Sequence, residues 1–174
     1  MNGSPAAAEN LRAGKFRLYG WLVGAILFFD ILTKYIVQRT LILHRPVEVI
    51  GDYFRLTYIF NPGAAFGLHL GPYSRTIFLV LTVGAVIFLF QWYRSTPPDD
   101  RLRLVAIASV TGGAIGNLID RIRSERGVVD FLDVGIGTLR WPVFNIADIA
   151  VTTGAVLLAI SLWREEQGFK PDES

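Results

Sequence analysis

The chain has 174 residues, of which 52% are hydrophobic and only 18% are charged. A chain this apolar is not typical of soluble domains, and its length leaves room for one domain, so we predict a small integral membrane protein. The absence of cysteine excludes disulfide bonds, thiolate metal sites and a cysteine nucleophile. The net charge of +2 gives no reason to expect a nucleic-acid partner.

Four apolar stretches are each close to the ~20 residues that a helix needs to cross a bilayer. They cover about residues 18–38, 76–93, 102–119 and 143–163. The first stretch is followed by charged residues and by no small-residue cleavage site, so we interpret it as a retained span and not as a signal peptide. Four spans place both termini on one side of the membrane.

The orientation of the spans follows only weakly from charge, because basic residues are evenly divided between the two sides. Arg12, Lys15 and Arg17 cluster just before the first span, and the short loop of residues 94–101 is also basic. Both features favour termini in the cytoplasm. The loops of about residues 39–75 and 120–142 then lie on the opposite side, which we call the outer side.

Both outer loops carry β-strand patterns. Residues 47–60 are two β-rich segments around Gly51 and Asp52, and residues 128–144 contain another pair around Gly137. We predict a small sheet against the outer leaflet. Trp141 suits the membrane interface.

The remaining segments are predicted to be connections and tails. Residues 1–10 and 168–174 are polar tails, and residues 95–100 form a turn interrupted by prolines.

Polar residues converge on the outer side from several segments. This topology brings seven polar residues to the same depth in the membrane: Asp30, Asn117, Asp120, Arg121, Asp130, Asn145 and Asp148. Such convergence in a membrane protein is typical of an active site.

Structural explanations also exist for several of these residues. Asn145 suits the N-cap of the fourth helix with Asp148 at N3, and Asp30 and Lys34 are spaced to neutralise each other on one helix face. These alternatives to a direct chemical role stay open from the sequence alone.

Asp120 lies at the end of the third span, where a carboxylate opposes the helix dipole and needs a cation. We predict a structural ion pair with a residue such as Arg121. Gly112 and Gly116 form a face of small residues that favours helix packing.

Asp130 and Asp148 are left without a partner cation in the sequence. Two carboxylates that share one proton can activate water and protonate the leaving nitrogen of an amide. His44 and His69 are the only histidines, and no His/Glu cluster has metal-ligand spacing. Binding of a divalent cation, an ion-coupled transporter and a structural subunit are the competing hypotheses.

Five sequence blocks, in this order, resemble the signature blocks of the lipoprotein signal peptidases, also called signal peptidase II. They are DILTK (30–34), NPGAAFG (61–67), GGAIGNLIDR (112–121), VVDF (128–131) and FNIAD (144–148). The resemblance extends from Asp30 to the end of the fourth span. It implies a mainly α membrane fold: a four-transmembrane-helix bundle with a small β-sheet, the β-cradle, on the outer face.

The resemblance also implies roles for individual residues. Asp130 and Asp148 would form the catalytic dyad. The site would be lined by Asn61, Asn117, Arg121 and Asn145, and supported by Asp30, Lys34 and Asp120. We expect Asn61 and Arg121 to orient backbone carbonyls or stabilise an oxyanion.

Gly63 is a further candidate in the NPGAAFG block. Small residues at Gly63, Ala64 and Ala65 would let a substrate or lipid approach the backbone, although a turn at Pro62 explains the glycine equally well.

The implied activity is cleavage of prolipoproteins just before a diacylglyceryl-modified cysteine, by an aspartic endopeptidase that needs no metal or organic cofactor. The implied setting is the bacterial cytoplasmic membrane, with the active site near the outer leaflet and with membrane lipids as further partners. We expect a monomer.

Overall fold

The computed structural model describes residues 5–63 and 71–168. Within these ranges the chain forms the helices α1 (Pro5–Thr40), α2 (Ser74–Ser95), α3 (Arg101–Arg123) and α4 (Ile146–Gly168). The strands are β1 (Val47–Ile50), β2 (Phe54–Asn61), β3 (Val128–Ile136) and β4 (Leu139–Arg140). All four helices are long and apolar enough to cross a membrane. The prediction of a four-helix membrane bundle with a small sheet is confirmed.

Helix α3 is the central element of the bundle, because it packs against α1, α2 and α4. Small residues let the helices approach closely. Gly112 faces Ile26 of α1, Gly113 lies against the main chain of α4 at Ala147, and Gly154 of α4 lies against the main chain of α3. The prediction that the glycines of α3 serve helix packing is therefore confirmed.

Two helix ends differ from the sequence-based prediction. Helix α1 begins at Pro5, so residues 5–10 are helical and the prediction of a polar tail there is wrong. The physical reason is composition, because alanines and Glu9 favour helix and proline is well tolerated in the first turn. Helix α4 begins at Ile146, three residues after the predicted start of the span. Residues 169–174 lie outside the described chain.

The four strands form one antiparallel sheet in the order β1-β2-β3-β4. The turns after β1 and β3 contain Gly51 and Gly137, whose positive φ angles of 47° and 55° suit glycine. The central pair, β2 and β3, joins the two predicted outer loops and places Ile59 opposite Asp130. The sheet packs against α1 through a core that contains Val37 and Val129. We call the end of the bundle that carries this sheet the sheet end.

Candidate active site

Asp130 and Asp148 reach the sheet end from different elements, and Asn145 connects them. Asp130 lies in β3, while Asp148 lies in the first turn of α4. Asn145 Nδ2 donates to Asp130 Oδ1 at 2.7 Å, and Asn145 Oδ1 accepts from the Asp148 main-chain N–H at 2.9 Å. Asp148 Oδ2 accepts in return from the Asn145 main-chain N–H at 3.2 Å. The predicted helix cap is confirmed, and the same amide holds Asp130.

Further amides complete the surroundings of the two carboxylates. Asn61 Nδ2 donates to Asp130 Oδ2 at 3.0 Å, and Asn117 Nδ2 donates to Asp148 Oδ1 at 2.8 Å. In the described part of the chain, neither Asp130 nor Asp148 forms a salt bridge. Each carboxylate is therefore oriented by neutral amide donors.

The environment of Asp130 favours its protonated form. Its exposed fraction is only 1%, and burial, followed by the nearby charge of Asp148, raises the pKa of Asp130 to about 7. Hydrogen bonds from Asn61 and Asn145 oppose this shift. An acid with a pKa near neutrality can both accept and donate a proton at physiological pH.

A buried ionic cluster lies behind the two aspartates. We call Asp30, Lys34 and Asp120 the lysine cluster. Lys34 Nζ donates to Asp30 Oδ2 at 2.8 Å, lies 2.8 Å from Asp120 Oδ2 and donates to Asn117 Oδ1 at 3.1 Å. The predicted Asp30–Lys34 pair is confirmed. An ion pair of Asp120 is also present, but its partner is Lys34, and the prediction of Arg121 is wrong.

The lysine cluster holds the main chain beside each catalytic candidate. Asp30 Oδ1 accepts from the Ala147 N–H at 3.0 Å, one residue before Asp148. Asp120 Oδ2 accepts from the Val129 N–H at 3.2 Å, one residue before Asp130. A Cβ atom on Gly116 would lie 2.6 Å from Asp30 Oδ2, so glycine is required for this cluster to form. No sequence pattern indicated these main-chain contacts.

Arg121 is buried, and its guanidinium donates hydrogen bonds to main-chain oxygens of this protein. Its Nη2 donates to the main-chain oxygen of Gly63 at 2.9 Å, and its Nη1 donates to that of Asn117 at 3.3 Å. These bonds tie α3 to the NPGAAFG block. Sequence reasoning missed Arg75, whose Nε donates to the Arg121 main-chain oxygen at 2.8 Å, because nothing distinguishes it locally from the other arginines of the outer loops.

Asn61 also shapes its own turn. The Gly63 N–H donates to Asn61 Oδ1 at 2.9 Å, while the Asn61 amide nitrogen binds Asp130. The geometry therefore fits the structural explanation for Gly63, a turn at Pro62. The rest of this block, with Ala64 and Ala65, lies outside the described residues, as does His69.

A cavity of about 290 Å³ opens beside Asp148. The segment before α4 and the first two turns of α4 form its walls, which are lined by Trp141, Pro142, Val143, Phe144, Asp148, Ile149, Val151, Thr152 and Thr153. The carboxylate therefore faces a largely apolar space at the sheet end. In the ranges that the structure describes, no group of three or more His, Cys, Asp or Glu residues could hold a metal ion.

Comparison with known proteins relates the whole chain to one family. The family model described as signal peptidase (SPase) II matches residues 22–164. The lipoprotein signal peptidase of Syntrophotalea carbinolica is 40% identical over 156 residues, which cover 89% of this chain and 96% of that protein. The lipoprotein signal peptidase of Moorella thermoacetica is 43% identical over 148 residues, which cover 84% and 94%.

A solved structure described as a bacterial membrane enzyme has a similar fold. It aligns with a TM-score of 0.78 and 32% sequence identity, and the alignment covers 90% of this chain and 93% of that one. The range matched by the family model spans nearly the full bundle and contains every polar residue of the candidate site. The chain belongs to the signal peptidase II family.

Proposed function

We propose that this protein removes the signal peptide from prolipoproteins by cleaving just before the diacylglyceryl-modified cysteine, with Asp130 and Asp148 as an aspartic dyad. The observation that carries the proposal is the pair of carboxylates at one end of the membrane bundle, connected by Asn145 and held by amides. Such a pair can hydrolyse an amide without a metal or an organic cofactor.

The dyad binds one shared proton near neutral pH, which is supported by the raised pKa of Asp130. The ionised carboxylate takes a proton from water as the water oxygen attacks the scissile carbonyl carbon. The protonated carboxyl then donates its proton to the amide nitrogen as the carbon–nitrogen bond breaks. One water is consumed, and the products are a free carboxylate and a free amine.

The apolar cavity beside Asp148 supports binding of a substrate that lies in the bilayer. We place the sheet end at the outer surface of the bacterial cytoplasmic membrane, with both termini in the cytoplasm. The signal helix and the lipid chains of the substrate would then fix the depth of the scissile bond. Positioning of this kind replaces a deep pocket for side-chain recognition.

A comparison of two substrates tests this proposal. Purified protein in one lipid mixture is given the same prolipoprotein with and without its diacylglyceryl group. We expect the unlipidated form to be cleaved about a hundredfold more slowly, because misplacement of the scissile bond by ~1 Å has a cost of that size. Equal rates for the two forms would show that the lipid does not position the substrate.

A further inference from the structure

A second cavity, of about 270 Å³, lies between α1 and α3 where both helices reach the sheet end. Its lining shares no residue with the cavity beside Asp148. Val129 contributes to its wall, and the next residue of β3 is Asp130, whose side chain points to the other face because neighbours in a strand alternate. The cavity is therefore separate from the proposed dyad.

Lys34 and Asp120 of the lysine cluster form the floor of this cavity, and the group left to bind a ligand there is a carboxylate. The three N–H donors of Lys34 are matched by three acceptors, on Asp30, Asn117 and Asp120, so the ammonium has no donor left for a ligand. This floor suits a cation and opposes an anion.

Asp120 supplies an unused acceptor at this floor. Its Oδ2 serves both Lys34 and the Val129 N–H, whereas its Oδ1 accepts no hydrogen bond from any residue that the structure describes. The side chain of Asp120 is 16% exposed, and Oδ1 is not among the buried polar atoms that lack a partner. A donor that enters the cavity can therefore reach this oxygen.

The mouth of the cavity offers the opposite charge. Arg123, in the last turn of α3, is exposed and forms no hydrogen bond or salt bridge with the described residues. The exposed amide of Gln38 also lines the cavity. On the side of the membrane spans, Ile31 and Ile119 form an apolar wall along α1 and α3.

We propose that this cavity binds the head group of a phospholipid with a primary ammonium, of the phosphatidylethanolamine type. The ammonium donates to Asp120 Oδ1, the phosphate accepts from Arg123 and Gln38, and the acyl chains follow Ile31 and Ile119 into the bilayer. The position at the ends of two membrane helices places the cavity at head-group depth.

The arrangement predicts selectivity among lipids. A glycerol head group has no ammonium, so its net negative charge meets the carboxylate of Asp120 without a donor for Oδ1. A choline head group carries a positive charge but has no N–H to donate to Asp120. Both lipids should therefore bind less tightly than the ethanolamine lipid.

Lipid retention measured by native mass spectrometry tests the proposal. The full chain is purified in detergent with equal amounts of phosphatidylethanolamine, phosphatidylcholine and phosphatidylglycerol of identical acyl chains. We expect about tenfold preferential retention of the ethanolamine lipid and its loss in Arg123→Gln, because a charge-assisted hydrogen bond has about this effect on affinity. Arg45→Gln is the matched control, since Arg45 is an exposed arginine that does not line this cavity.

A second variant tests the apolar wall independently of charge. Ile119→Trp should fill the cavity and reduce retention of the ethanolamine lipid while Arg123 is intact. Asp130→Asn should retain this lipid like the wild type, so failure of lipid binding and failure of the proposed cleavage are distinguishable. Equal retention of the three lipids, a preference for phosphatidylglycerol, or equal effects of Arg123→Gln and Arg45→Gln would each overturn the proposal.

Discussion

Asp130 and Asp133 lie three residues apart in β3 and are both buried, with exposed fractions of 1% and 5%, yet their surroundings differ. Asp130 accepts from the amides of Asn61 and Asn145. Asp133 accepts at 2.6 Å from the guanidinium of Arg140 and at 2.6 Å from the Thr57 hydroxyl. A cation holds the charge of Asp133 in place, whereas neutral donors leave Asp130 able to gain and lose a proton.

The same contrast separates the proposed dyad from the lysine cluster. Asp30 is fully buried like Asp130, but Lys34 neutralises it at 2.8 Å. A buried carboxylate with a cation supports structure, because the cation offsets part of the cost of burying its charge. A buried carboxylate with amides is suited to proton transfer. Burial alone does not distinguish the two uses.

The largest expected effect is that of removing a carboxylate from the dyad. Asp130→Asn or Asp148→Asn should reduce cleavage of a lipidated prolipoprotein by about a thousandfold, because the amide cannot exchange the proton. Both variants should remain folded, since the shape of each side chain is conserved. Substantial cleavage by either variant would contradict the assignment of the dyad.

Removal of the cation from the lysine cluster should have the largest effect on stability. Lys34→Met leaves the buried Asp30 without a cation, and a loss of ~3–5 kcal/mol in the free energy of unfolding is expected. Lys15→Met on the same helix is the control, because Lys15 pairs with no described carboxylate. It donates to main-chain oxygens at Arg94 and Thr96 and lies over the Tyr93 ring, and its loss should cost less than that of Lys34.

A double variant sharpens this measurement. Asp30→Asn combined with Lys34→Met removes the uncompensated charge and should recover part of the lost stability. No recovery would show that packing, and not charge, accounts for the effect of Lys34. The free energies of unfolding of the single and the double variant are both measured in one detergent, by heating or with a denaturant.

Asp133→Asn should produce the opposite pattern from Asp130→Asn. The variant loses a charge-assisted bond to Arg140 and should destabilise the protein by about 2 kcal/mol. The rate of cleavage should stay within about twofold of the wild-type rate, because Asp133 is not in the dyad. A loss of activity comparable to that of Asp130→Asn would show that the cation does not separate the two roles.

A further expected effect is a change in how stability depends on pH. Because the pKa of Asp130 in the folded state is about 7, above its ordinary value, the folded state binds this proton more tightly than the unfolded state does. The contribution of Asp130 to stability should therefore be complete at low pH and be lost as pH rises toward 7. The variant Asp130→Asn should lack this dependence of stability on pH and should be more stable than the wild type at pH 8.

Features that depend on neighbours in sequence were predicted well. The spans follow from apolar runs of membrane length, the helix cap from the spacing of Asn145 and Asp148, and the Asp30–Lys34 pair from one helical turn. The two hairpin turns follow from glycine between β-rich segments. Each of these patterns extends over a few residues or over one continuous apolar run. Each can therefore be recognised from the sequence alone.

Features that depend on distant contacts were not predicted. Asp120 pairs with Lys34, which is far away in sequence, because α1 and α3 pack side by side. The adjacent Arg121 instead reaches Gly63 across the sheet end. A helix directs consecutive side chains about 100° apart, so the partner of each depends on which helix lies opposite.

By itself, the sequence determined that the chain is a four-span membrane protein, and through its five blocks it indicated the family and the two aspartates. The tertiary structure decided which buried carboxylates are neutralised and which are not. It also decided that the lysine cluster faces a second cavity. The physical reason is that apolar length and local spacing act along the chain, whereas charge compensation acts through space between elements that only packing brings together.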